Sequence, residues 1–190
     1  MAPSTEQAKR PGGRTARNRA AIHRAVRELL VDRGLTEVTV AAVAERSGVH
    51  PTSIYRRWGT LSELLLDVIL EATAEAVPTL DTGSLRGDLA RYALDSLRSL
   101  DTPIGIAAAQ ILLQLPATED GRRSRREYWR RRAAALQPIF DRAIERGEQA
   151  FDIEDTIEAV LAPLYFRCFV TGRDLEEQLV SSLVERALPA

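Results

Sequence analysis

Residues 39–58 read TVAAVAERSGVHPTSIYRRW, two short apolar-faced runs on either side of a glycine. Thr39 is a good helix N-cap, because its hydroxyl can accept from an orphan backbone N–H of the first turn. Val40, Val43 and Ala44 then fall on one helical face, and the run ends at Ser47-Gly48. After Val49, Pro51 sits where a first helical turn tolerates a missing N–H. The second run continues through Thr52, Ser53, Ile54, Tyr55, Arg56 and Arg57 to Trp58, and Gly59 breaks it. Two short helices with a tight turn between them are the layout of a helix-turn-helix, whose second helix enters the DNA major groove. Val40, Val43, Ala44, Val49, Ile54 and Trp58 can bury one side, which leaves Thr52, Ser53, Tyr55, Arg56 and Arg57 for the other. By spacing alone, a plain helical hairpin with arginines on a solvated face remains open.

Upstream, the pattern predicts a helix over Thr15 to Arg33, with Ile22, Ala25, Val26, Leu29 and Leu30 on one face and Gly34 after its end. Residues 1–13 are polar, with two prolines and two glycines, and read as a flexible basic tail with no secretory apolar core. Downstream, Thr60-Leu61-Ser62-Glu63 is a capping-box sequence that opens a helix to about Val77. Further helices are expected over Ser84–Leu100, Asp101–Leu115, an Arg-rich stretch ending at Gly147, Asp152–Thr171 and Asp174–Leu188. No period-2 alternation is sustained, so the fold class is all-α with about nine helices.

Net charge first argues against nucleic acid, then for it. The 190 residues carry 26 Lys+Arg and 27 Asp+Glu, a formal charge of -1. Residues 1–60 hold 11 basic and 5 acidic residues, a net +6, and residues 61–190 hold 15 and 22, a net -7. A basic module is joined to an acidic one. One cysteine, Cys168, excludes an intrachain disulfide, and two histidines far from it make no convincing zinc site. The apolar stretches near Ile106 and Val160 are broken by Gln110, Gln114, Pro163 and Arg167, short of the roughly 18 residues of a membrane span. A cytoplasmic protein without metal, cofactor or catalytic site is expected. No paired acid and base or activated nucleophile stands out.

The stretch 39–58 resembles the TetR family of bacterial transcriptional regulators. That family's pattern runs Thr, an aliphatic residue, two variable residues, Ile or Val, Ala, two variable residues, Ala or Ser, Gly, Val. Four variable residues follow, then an aliphatic residue, Tyr, two variable residues and Phe or Trp. Thr39 to Val49 and Ile54 to Trp58 match it throughout. The resemblance extends over about residues 14–70, and Ala162-Pro163-Leu164-Tyr165-Phe166-Arg167 with Thr171-Gly172 is a weaker likeness to the family's C-terminal half.

The resemblance implies a homodimer with a helix-turn-helix domain over 14–60 (motif 39–58) and a helical effector-binding and dimerisation domain over 61–190, entered by a connecting helix, 61–77. Carried over by position, Thr39 contacts phosphate, Pro51, Thr52, Ser53 and Tyr55 lie along the groove, and Arg56 meets bases or backbone. Arg14, Arg17, Val40, His50 and Arg57 complete the expected DNA-facing set. Two positions depart from relatives. Leu61 stands where most have a phosphate-binding Lys, and His50 where many have a Ser or Thr cap. His50 either donates to phosphate or only caps weakly.

In the second domain, Trp129, Tyr165, Phe166 and Phe169, with Tyr92, Gln110 and Gln114 as polar groups, are candidates for a pocket holding an unidentified small-molecule effector. Val160, Leu164, Leu175, Leu179 and Leu183 read as too apolar for a monomer surface and are candidates for a dimer interface, with internal packing as the alternative. The cluster Arg122, Arg123, Arg125, Arg126, Arg130, Arg131 and Arg132 is either an anion-binding surface or a solvated face paired with Glu. Cys168 reads as a structural cysteine, with a thiol sensor as the alternative. The expected function is a ligand-responsive repressor bound to a pseudo-palindromic operator on double-stranded DNA. A constitutive or activating regulator without an effector is the main alternative, and a helical enzyme or carrier a weaker one.

Overall fold

A computed structural model describes residues 13–76, 80–174 and 176–189. Residues 1–12 of the expected tail and Leu175 of the expected interface lie outside the described residues, and Gly13, the last residue of that tail, begins the first helix. The chain divides into two compact units, one ending at Leu61 and one beginning at Ser62. Nine α-helices and no strand are found among the described residues.

The first unit holds α1 (Gly13–Arg33), α2 (Val40–Ser47) and α3 (Pro51–Trp58). Ile22, Ala25, Val26, Leu29 and Leu30 of α1 are buried with Val38, Val40, Val43, Ala44, Val49 and Ile54. That core is the expected apolar face of each helix turned inward. Arg46 ties α2 to α1 through Asp32 at 2.6 Å. Gly48 ends α2 at φ 68°, ψ 16°, the left-handed conformation that only glycine takes without steric cost. The sharp reversal between the two short helices depends on it.

The second unit holds α4 (Leu61–Ala76), α5 (Leu85–Ser99), α6 (Pro103–Gln114), α7 (Glu119–Glu145), α8 (Ile153–Phe166) and α9 (Glu177–Ala187). Side-chain caps start four of them. Ser84, Thr102, Thr118 and Asp152 accept from Gly87, Gly105, Gly121 and Asp155 N–H at 3.1, 3.1, 3.3 and 2.9 Å. In the first three the accepted donor belongs to a glycine. At Gly105 a Cβ would lie 1.9 Å from the carbonyl oxygen of Ser99, and at Gly121 2.0 Å from that of Pro116. These glycines admit the preceding turn against the helix. Gly121 therefore belongs to the first turn of α7.

The core is built from Leu85, Leu89 and Ala93 of α5, Leu136, Ile139 and Phe140 of α7, Ile157, Leu161 and Leu164 of α8, and Val180 and Val184 of α9. This corrects the expected dimer face. Val160, Leu164 and Leu183 are buried inside their own subunit, and Leu179 packs partly buried against the same cluster. Helical periodicity identifies a face that must be covered, but not whether the cover comes from the same chain. A five-residue π-turn, Arg167–Thr171, continues α8 and ends at Gly172. Cys168 is half-buried in it. Among the described residues no helix is long and apolar enough to cross a membrane.

Replacing Gly105 by alanine should destabilise the second unit by about 1–3 kcal/mol, as overpacking against a backbone atom does. Urea unfolding measures it, and an unchanged midpoint would show that the α5–α6 corner can relax.

Candidate nucleic-acid interface and internal cavity

The first candidate site is the outer surface of α3. Ile54, 1% exposed, anchors the helix in the core. Thr52, Tyr55 and Arg56, at i, i+3 and i+4 on one stripe, are exposed, and Tyr55 keeps 54% of its surface. Pro51 and Ser53 are half-buried beside them. Arg57 is exposed with its guanidinium 5.2 Å from the Trp58 ring centroid, a cation–π contact. Trp58 itself stacks obliquely on the buried His23 ring at 5.9 Å.

Both short helices present capped N-termini. Thr39 Oγ1 accepts from Ala42 N–H at 3.1 Å. His50 Nδ1 accepts from Thr52 N–H at 3.3 Å, so this histidine does cap α3. An accepting Nδ1 leaves Nε2 as the ring's donor. Arg14 and Arg17 are exposed on the first turns of α1, where Arg17 Nε donates to Gly13 O at 2.9 Å. Val40 does not belong to this surface: its side chain is 8% exposed and faces the core. The first residue after an N-cap can offer only its backbone N–H outward when its side chain is the apolar anchor. The exposed set joins hydroxyls, a phenol, guanidinia and helix N-termini, the groups that hold phosphates and read base edges.

The second candidate site is a cavity of about 390 Å³ inside the second unit. Its lining is mainly apolar, from Ile69 and Ala72 of α4, Ile104, Ala108 and Leu112 of α6 and Leu100 between α5 and α6. Tyr92, Tyr165 and Phe169 line it as expected from sequence. Gln110 and Gln114 do not: both are exposed on the opposite side of α6. Phe166 is also turned outward, 57% exposed, and Trp129 borders a separate shallow depression with Arg125, Arg126 and Arg130. The other polar groups of the cavity come instead from Tyr128, Ser96, Arg132 and Asp95, with the hydroxyl residues Thr73, Ser99 and Thr102.

Arg132 is the residue that sequence reading missed. Its Nε donates to Tyr92 Oη at 2.5 Å, its Nη1 to Tyr165 Oη at 2.9 Å and Tyr128 Oη at 3.4 Å, and its Nη2 to Ser96 Oγ at 3.2 Å. The guanidinium also lies 5.5 Å from the Tyr92 ring centroid. No carboxylate among the described residues pairs with it. Burying such an ion costs several kcal/mol, and hydrogen bonds to a charged group return about 1.5–3 kcal/mol each. Burial opposes its charge, yet the surrounding hydroxyls hold its pKa above the ordinary arginine value. Burial likewise pushes the Tyr92 and Tyr128 phenols above the usual 10.0, which keeps them neutral. The signal in the sequence was register: Tyr128, Arg132 and Leu136 are spaced four apart on the buried side of α7.

The other arginines of the cluster behave differently. Arg122, Arg123, Arg126 and Arg130 pair with Glu119, Asp120 and Glu127 on their own helix, and Arg131 pairs with Asp67 of α4 at 2.6 Å. Arg125 donates to the carbonyls of Leu112, Leu115 and Pro116 at the end of α6.

Two family models match the chain: "Bacterial regulatory proteins, tetR family" over residues 22–68, and "Tetracyclin repressor-like, C-terminal domain" over residues 79–187. The chain belongs to the TetR family. Among curated relatives, the helix-turn-helix transcriptional regulator AqdR of Rhodococcus erythropolis is 36% identical over 135 residues, 71% of this chain and 65% of that protein. This chain thus spans a little under two thirds of AqdR. The uncharacterised regulator YdeS of Bacillus subtilis (strain 168) is 27% identical over 184 residues, covering 95% and 93% of the two chains. The crystal structure of the TetR-family regulator SCO0332 superposes with a TM-score of 0.77 at 26% identity, covering 90% of this chain and 96% of that one. This TetR-family chain is a DNA-binding transcriptional regulator, and its relatives are regulators and not enzymes.

The phenols give a signed pH dependence. Folded-state pKa values raised above 10.0 mean that the unfolded chain releases these protons first. Their contribution is intact below pH 10.0 and is lost as pH rises from there towards the folded values. Urea midpoints should therefore fall above pH 10.0, and the fall should be shallower in a Tyr92→Phe/Tyr128→Phe double variant.

Proposed function

We propose that this protein is a cytoplasmic, ligand-responsive repressor that binds a pseudo-palindromic operator as a homodimer. The observation that carries the ligand response is the cavity of about 390 Å³ in the helical unit that does not contain the helix-turn-helix. Its apolar wall with a few convergent polar groups has the make-up of a small-molecule site. On this reading Thr39, Pro51, Thr52, Ser53, Tyr55 and Arg56 meet the DNA, with Arg14, Arg17, His50 and Arg57 on phosphates. Two recognition helices enter successive major grooves about 34 Å apart. An effector that binds one dimer arrangement more tightly shifts the population away from that spacing, and its differential affinity sets the size of the effect.

The dimer reading now rests on different residues. Ala159, Ala162 and Phe166 on α8 and Val170 in the π-turn form an exposed apolar strip, with Phe166 57% and Val170 67% exposed. Such a strip needs a cover, and a two-fold helix pairing supplies one.

Fluorescence anisotropy on DNA flanking the protein's own gene tests the reading. Binding should be sequence-selective and should weaken steeply with salt. Tyr55→Ala and Arg56→Ala should lose most of that affinity yet remain dimeric by native mass spectrometry. Leu61→Lys, at the first position of α4, should tighten binding and steepen the salt slope by about 0.9 per added phosphate contact. Phe166→Glu should convert the dimer to monomer. Wild-type affinity in both recognition-helix variants would sink the assignment of α3, and an intact dimer in Phe166→Glu would sink the interface.

A further inference from the structure

The charge in the cavity wall sets the chemistry of its occupant. The second unit buries Asp88 and Arg132 in contrasting ways, while its third buried charged residue, Asp67, is paired with Arg131. Asp88 is fully buried, but Arg142 and Arg146 each approach it to 3.9 Å, and Thr82 donates to it through its N–H and hydroxyl at 2.6 and 2.8 Å. Arg132 is buried with hydroxyls alone. A net positive charge is therefore left facing an apolar cavity. The acid that does line the cavity, Asp95, is already engaged by Arg91 at 2.9 Å and Arg98 at 3.3 Å. Each phenol that accepts from Arg132 still has its own proton to donate. The polar end of the cavity is thus a cluster of donors around a cation, a site short of one anion.

We propose that the effector is a small organic monocarboxylate, with its carboxylate on Arg132 and the hydroxyls of Tyr92, Tyr128 and Tyr165, and its apolar body against α4 and α6. This rests on the ligand-responsive reading above and names the class of ligand. Four of the five guanidinium N–H groups are taken by hydroxyls, so the carboxylate meets the remaining Nη2–H and the phenol protons, and the low polarity of the apolar lining strengthens the pairing. Size follows from volume. An engineered cavity of about 150 Å³ holds benzene, so 390 Å³ suits a body roughly two to three times as large. Cations are repelled, and a neutral isostere forfeits the charge-assisted bonds.

Calorimetric titration of the full-length protein at neutral pH tests this, with octanoate, decanoate and phenylbutyrate as probes, each beside its primary amide and its amine. At least one carboxylate should bind roughly tenfold or more tightly than its amide, the worth of one or two charge-assisted hydrogen bonds. The amines should not bind. In Arg132→Met the acid-to-amide ratio should collapse towards one, a change that a merely structural arginine would not produce, since its loss would weaken both probes alike. Tyr165→Phe, a milder change on the cavity wall, should lower acid affinity several-fold and leave the amide unchanged, which covers the case in which Arg132→Met does not fold. Equal or tighter binding of the amides, no binding by any of the carboxylates, or an undiminished acid preference in either folded variant would overturn the proposal. The same titrations, followed by release of labelled DNA, separate it from the reading beneath it. A neutral compound that binds and releases DNA removes the carboxylate assignment and leaves ligand response standing. A bound acid that leaves DNA affinity unchanged supports the anion site and removes the ligand response.

Discussion

The second unit is organised around one buried guanidinium. Arg132 projects from α7 and takes hydroxyls from α5, its own helix and α8. Van der Waals packing among Leu89, Leu136, Ile157 and Leu161 brings these helices together without fixing their rotation, since apolar contacts are non-directional. The donors of a guanidinium lie in one plane at fixed angles. Satisfying them from three helices specifies how each is turned. The same geometry keeps three phenols clustered at one end of a cavity lined mainly by apolar side chains.

The two units divide their electrostatic labour. In the first, cations lie outward on α1 and α3, and the acid Asp32 is engaged by Arg46. In the second, most arginines are spent on nearby carboxylates, so a segment with seven arginines offers little free charge to a polyanion. Surface pairs of this kind contribute little stability, and their effect here is to mask. The overall formal charge of -1 conceals both facts.

Much of the fold was legible because local rules and tertiary packing agree. Gly48, Pro51, Thr102 and Asp152 mark helix ends where caps and turns require them, and Thr39 to Trp58 carries its family in its residue order. What was illegible shares a cause. Gln110 and Gln114 are polar residues in an apolar helix, and sequence alone cannot say which side of that helix faces inward. Val160, Leu164 and Leu183 demand a cover, and periodicity is silent on whether it is the same chain. Arg132 was hidden among six other arginines, although its register with Tyr128 and Leu136 sets it apart from Arg126 and Arg130. A charged residue in phase with a buried stripe is informative where a count of charges is not.

The boundary helix α6 is fastened at both ends. At its start, the Ser99 carbonyl lies against Gly105, and Thr102 caps the first turn. At its finish, Arg125 gathers the carbonyls of Leu112, Leu115 and Pro116. A helix held in this way does not accommodate a guest by fraying, because either terminal turn would surrender several hydrogen bonds. It behaves as a strut. Because Arg125 is rooted in α7, the end of α6 is tied directly to the longest helix among the described residues.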